Sequence, residues 1–207
     1  MTTRTWKQAF QNRAFVKSVA FNIFALTCAL CALRLFLAYN ETRQGYAFAD
    51  PVLRLFQPRD FTWVTFSLIM ASTVFGIALI FQDPYHALSG VCGYTCMLVM
   101  RIFSISLLPL QPPPGMIFLQ DPLVAFFTSH ATPVKDLFFS GHTATAFLLF
   151  FVVKSWRPVF LASAILIGTL VIWQHVHYSI DVLAAPLFSY LAMKLGKKLT
   201  ELSGVRS

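Results

Sequence analysis

The sequence predicts an all-α fold: a single polytopic membrane domain over residues 1–207, built as a bundle of six transmembrane helices with both termini in the cytoplasm. Three observations carry that expectation. Hydrophobic residues make up 57% of the chain and charged ones 12%, against roughly 45–50% and about 25% in a soluble domain, so the excess apolar surface has to face something other than water. The apolar residues fall in six runs, most of them near the ~20 residues an α-helix needs to cross a bilayer. The basic residues mostly flank those runs, so the net charge of +8 orients the chain in a membrane rather than marking a nucleic-acid surface. A sizeable soluble domain is excluded, and no obligate protein partner is indicated.

The first run, 18–39, is long enough to span, so it reads as its own targeting signal and not as a cleavable leader. The runs 61–81 and 85–108 follow, the latter carrying Arg101. The longest connection, 109–136, contains Gln111-Pro112-Pro113-Pro114-Gly115, whose three prolines stiffen the chain into a rigid connector or a rim over a pocket. The last three runs are 137–153, 159–178 and 179–196; the fourth and sixth are short for spans, and each opens with polar residues expected at the membrane boundary. Trp63, Trp156, Trp173 and Tyr178 fall near span ends, as an aromatic belt would place them. Cys28, Cys31, Cys92 and Cys96 lie inside apolar runs without acidic or histidine neighbours and read as packing residues. There is no internal repeat.

Six spans put the termini on one side. That side collects ten basic residues (Arg4, Lys7, Arg13, Lys17, Lys154, Arg157, Lys194, Lys197, Lys198 and Arg206), whereas the other has four, Arg43, Arg54, Arg59 and Lys135. The excess marks the cytoplasmic side. Arg34 and Arg101 remain within spans.

Ionisable groups within spans are expensive, which makes them the first functional clue. Ser140-Gly141-His142 at the start of the fourth run, His175, His177 and Asp181 between the fifth and sixth, and Arg101 late in the third all map to the non-cytoplasmic end. Each alone has a bland explanation; a His–Asp pair at i, i+4 is a common helix pair. Together they suit nucleophilic transfer. Asp181, one turn from His177, accepts the proton of one ring nitrogen and leaves the other to attack, and His142 serves as acid and then base. A helix N-terminus preceded by Ser140-Gly141, with Arg101 as a fixed cation, suits a phosphate.

Asp136-Leu-Phe-Phe-Ser140-Gly141-His142-Thr143 and His175-Val-His177-Tyr178-Ser-Ile-Asp181-Val182 resemble the two signature segments of the sphingomyelin synthase-like branch of the type 2 phosphatidic acid phosphatase superfamily. Arg101-Ile-Phe-Ser104 followed by Leu108-Pro109 resembles that branch's upstream arginine motif, and the likeness runs over about residues 95–190. The resemblance implies a six-helix, metal-independent enzyme without cofactor, with the triad His142, His177 and Asp181 on the periplasmic, luminal or extracellular side. It further implies a phosphohistidine on His177. Arg101, Ser140, Gly141, Asp136, Tyr178 and His175 are the expected substrate- and phosphate-binding residues. For His175 a packing role, and for Asp136 a helix N-cap, are the alternatives; Lys135 reads as an interfacial charge.

Departures bear on substrate. The Lys-x6-Arg-Pro and Ser-Arg motifs of the superfamily's lipid phosphatases are missing, and Lys154-Ser-Trp-Arg157-Pro158 has the wrong spacing and reads as a basic loop. Val176 precedes His177, and Pro186 stands where an aromatic residue is expected. The expected activity is transfer of a phospho-headgroup from a membrane glycerophospholipid to a lipid alcohol such as ceramide. The alternatives are a lipid phosphate phosphatase or phospholipase C using water, and a transporter, which would want polar groups at midplane and repeated halves.

Overall fold

The computed structural model describes residues 5–119 and 133–205. Among them are seven α-helices, one short 3-10 turn at Leu53–Leu55 and no strand, only an isolated bridge between Tyr46 and Leu110. The centre of the 109–136 connection lies outside the described residues.

The chain opens with α1, Trp6–Gln11, capped by Thr5 and tied to the start of the hairpin after α3 by the Trp6 indole N–H, which donates to the Phe81 carbonyl at 2.9 Å. Asn12 then caps a new helix through its side-chain oxygen, and α2 runs from Arg13 to Thr42. The first long helix therefore starts five residues earlier than the apolar run, because a capping side chain sets a helix start where hydropathy does not. α3, Thr62–Ile80, has Phe61 at its N-cap with no side-chain cap bond, and Asp60 before it accepts the Thr62 N–H; α4, Pro84–Leu107, starts on Asp83, whose carboxylate accepts from the N–H groups of Tyr85 and His86, with Pro84 at the first turn.

The last three helices are α5, Gly141–Val152, α6, Arg157–Trp173, and α7, Ser179–Leu202. α2, α3, α4 and α7 are long and apolar enough to cross a membrane; α5 and α6 have 12 and 17 residues. Four of the six expected spans are therefore matched by helices of spanning length, and the helix ends depart from the apolar runs. The fifth ends at Trp173 rather than 178, because Gln174 closes the helix and His175 turns the chain with φ of 56°, in the left-handed region. The sixth continues to Leu202, its polar last turns held by helix-forming residues and a Lys197–Glu201 pair at i, i+4.

α4 and α7 pack along one another, α5 sits against α7 and α6, α2 lies on α4, and α3 flanks α6 and α5. The central cluster joins Met97 of α4, Phe139, Ala144 and Leu148, and Ala185 and Ala192 of α7. Large apolar side chains such as Phe24, Leu35 and Leu183 face outward, while buried polar ones gather toward the α7 N-terminus. That inversion of a soluble protein's pattern, with backbone bonds satisfied inside helices, fits an integral membrane protein.

Candidate active site

Two chain segments separated in sequence are joined by a backbone hydrogen bond: the Ser140 N–H donates to the Asp181 carbonyl at 3.1 Å. Ser140 is the N-cap of α5, its hydroxyl oxygen accepting from the Thr143 N–H and its O–H donating to Thr143 Oγ1 at 3.0 Å. Asp181 lies in the first turn of α7, fully buried. The two helix N-termini therefore meet, and the Ser189 hydroxyl, donating to the Ala144 carbonyl at 2.8 Å, fastens the same helices two turns further on.

Within this junction His177 Nδ1 lies 3.4 Å from Asp181 Oδ2, which also accepts the Tyr178 N–H at 3.0 Å. A carboxylate beside Nδ1 favours the tautomer that carries its proton there, leaving the Nε2 lone pair available. Both side chains are almost wholly buried. Asp181 Oδ1 has no hydrogen-bond partner among the described residues. His142, on the first turn of α5, is half-buried.

Arg101, 3% exposed near the end of α4, donates through Nη1 to the Phe139 carbonyl and through Nη2 to the Asp136 carboxylate. Its guanidinium lies against Gly141 so closely that a Cβ there would meet Nη1 at 2.8 Å. Arg101 is thus a fixed cation, as expected, but already paired; Asp136 is its partner and not the helix N-cap, a place that Ser140 takes. Gly141 is the residue that lets the arginine reach the start of α5.

The remaining candidates frame the site. Tyr178 is fully buried, unlike a belt residue: its hydroxyl donates to the Gln111 carbonyl at 3.0 Å and accepts the Phe48 N–H at 3.4 Å. The aromatic-belt expectation fails for Tyr178, whereas Trp63, Trp156 and Trp173 are exposed at helix ends. His175 contacts the Pro114 carbonyl through Nδ1 at 2.9 Å and packs its edge on Phe56, and its buried Nε2 has no partner among the described residues. It pins the proline-rich stretch to the α6–α7 turn, joined there by the Ile117 N–H, which donates to the Gln174 carbonyl. Among the described residues no cluster of three or more His, Cys, Asp or Glu side chains is placed to hold a metal ion.

Two residues escaped the sequence reading. Asp50 is buried; its Oδ2 accepts the Ser179 N–H at the start of α7 at 2.6 Å, and its Oδ1 accepts from Val52 and Leu53. Burial pushes its carboxyl pKa up, but the donors from Ser179, Val52 and Leu53 outweigh it and leave the group below its ordinary value. Asp50-Pro51 shows a turn, not its reach across the fold. Lys135, read as an interfacial charge, donates to the Glu41 and Arg43 carbonyls at 2.7 Å each, and its N–H donates to Glu41 Oε1. Asn40 returns a bond to the Lys135 carbonyl. The C-terminus of α2 therefore clamps the segment that carries Asp136.

The family model described as PAP2 superfamily C-terminal matches residues 135–198, a stretch that holds both histidine segments. The match supports membership of the type 2 phosphatidic acid phosphatase superfamily and an enzyme acting on phosphate esters. No curated protein matches the chain.

Proposed function

We propose that this chain, taken as a member of the type 2 phosphatidic acid phosphatase superfamily, is an integral membrane lipid phosphotransferase of the sphingomyelin synthase-like kind. Its reading as six spans rests on the apolar runs, and the placing of both termini in the cytoplasm with the site on the opposite side rests on the bias of Lys and Arg. The observation that carries the mechanism is the junction of the α5 and α7 N-termini, in which the Ser140–Asp181 backbone bond joins the start of α5, which carries His142 on its first turn, to the start of α7, where His177 just before the helix pairs with Asp181 in its first turn.

His177 Nε2 attacks phosphorus of a glycerophospholipid headgroup, the P–O bond to diacylglycerol breaks, and His142 gives its proton to the leaving oxygen. A lipid alcohol, ceramide-like, then gives its proton to His142 as its oxygen attacks the phosphorus. The P–N bond breaks and both histidines return to their starting states. Asp181 holds Nδ1–H and stabilises the imidazolium character that develops on His177. Arg101 and the α5 N-terminus supply positive potential for the phosphoryl oxygens. Water in place of the alcohol makes the same set a hydrolase.

The test is product analysis by mass spectrometry after reconstitution in liposomes of phosphatidylcholine, phosphatidylethanolamine and phosphatidate, with and without ceramide. A ceramide phosphodiester that appears with the native protein and not with His177→Ala is the expected result, with a loss of at least about a thousandfold. Free phosphate or phospho-headgroup released without ceramide replaces transfer by hydrolysis. Equal activity of His177→Ala removes the mechanism.

A further inference from the structure

At the end of the bundle opposite the candidate active site, α2 opens with Arg13 and Lys17, one turn apart on the same face. Ser18 and Asn22 follow, 6% and 8% exposed, in a helix whose other outward residues are mainly apolar. Buried polar groups need partners. The Asn22 amide donates back to the Ser18 carbonyl at 2.8 Å, while the Ser18 hydroxyl bridges to Ser203 at 2.9 Å, just beyond α7.

Beside this bridge lies a cavity of about 490 Å³, lined by Arg13, Lys17, Ser18, Asn22, Phe21 and Leu199 among others. It falls within the ~300–1,000 Å³ typical of small-molecule sites. No acidic residue lines it, and neither Arg13 nor Lys17 makes an ion pair with any described residue. Two like charges one turn apart repel each other unless an anion sits between them. The outer wall is apolar: Phe21 is 69% exposed and Leu199 is 44% exposed, both on helices of spanning length.

We propose that this cavity binds an anionic phospholipid. Arg13 and Lys17 hold the phosphodiester, Ser18 and Asn22 offer polar groups at its inner wall, and the acyl chains run along Phe21 and Leu199. A soluble phosphate would satisfy the cations but leave the apolar wall unused, which is why the lipid is the better occupant. None of the residues assigned to phosphoryl transfer lines the cavity, so this site stands independently of that chemistry.

The test measures lipid retention by native mass spectrometry and lipid-dependent melting of the purified protein, with phosphatidylglycerol and phosphatidylcholine as probes. The variants are Arg13→Gln/Lys17→Gln and, as a control for general charge at the same end, Lys197→Gln/Lys198→Gln. Phosphatidylglycerol is expected to bind in preference to phosphatidylcholine and to lose about 25-fold in affinity in the first variant, at roughly fivefold per basic residue near an anionic headgroup. The control keeps the preference. Equal binding of the two lipids, an equal loss in the control, or an equal stabilisation by glycerol phosphate or inorganic phosphate overturns the proposal. The single variants Arg13→Gln and Lys17→Gln decide the matter if the double variant does not fold.

Discussion

Asp181 is fully buried, yet among the described residues its Oδ1 has no donor, and its Oδ2 accepts the Tyr178 N–H and lies 3.4 Å from His177 Nδ1. A carboxylate left that way costs about 1–3 kcal/mol, and the His177 Nδ1–H recovers part of it. Asp181→Asn is therefore expected to lower turnover by roughly 10²–10⁴-fold while melting stays unchanged or rises; loss of fold instead of turnover would make Asp181 a structural residue. Asp50 behaves differently. Its pKa is depressed below 3.8 by its three backbone donors, so its contribution is fully present above that ordinary value and is lost as pH falls through the folded value. Asp50→Asn should lower stability by about 1–2 kcal/mol at neutral pH, and the gap to the native protein should close below about pH 4, a pattern that melting curves from pH 3 to 7 resolve. The two carboxylates differ in legibility for a physical reason. Asp181 sits four residues from His177, a helix spacing visible in one dimension, whereas Asp50 acts on Ser179 through a turn that only the folded chain brings near.

At the level of elements, hydropathy located four helices of spanning length and the two shorter apolar ones, α5 and α6, but not their ends. Caps at Asn12, Asp83 and Ser140 fix the starts of α2, α4 and α5, and a polar side chain at the right place decides a boundary that an average over apolar residues blurs. α1 went unread because six residues with polar neighbours make no apolar run. Nor does hydropathy show how closely two helices approach. α4 and α7 cross where Gly93 meets Gly196, and a Cβ at Gly196 would lie 2.4 Å from the Gly93 backbone nitrogen. Small residues let helix backbones approach in this way inside a membrane. Gly196→Leu should push the helices apart and lower the melting point by an amount equal to about 1–3 kcal/mol or more. An unchanged melting point would mean the crossing is looser than the structure has it.

For the whole molecule, the sequence made the bundle and the clustering of reactive groups at one end readable, because both follow from which residues tolerate lipid. Sidedness is the expectation that a single experiment can reverse. In a background with the four native cysteines replaced, Tyr46→Cys, 71% exposed at the site end, should react with a membrane-impermeant maleimide in intact cells. Leu202→Cys, 73% exposed at the other end, should react after permeabilisation alone. The opposite pattern would turn the active site toward the cytoplasm. One further property follows from the bonds that close the site. Ser179 reaches Asp50 across 129 positions, and Tyr178 reaches Phe48 across 130. The His177 imidazole and the Asp181 carboxylate are synthesised together at the start of α7, well after Arg101 of α4. On the proposed mechanism, a nascent chain in which α7 is not yet seated already carries Arg101 and the His142 acid but lacks the seated nucleophile, so it should not form the phosphohistidine.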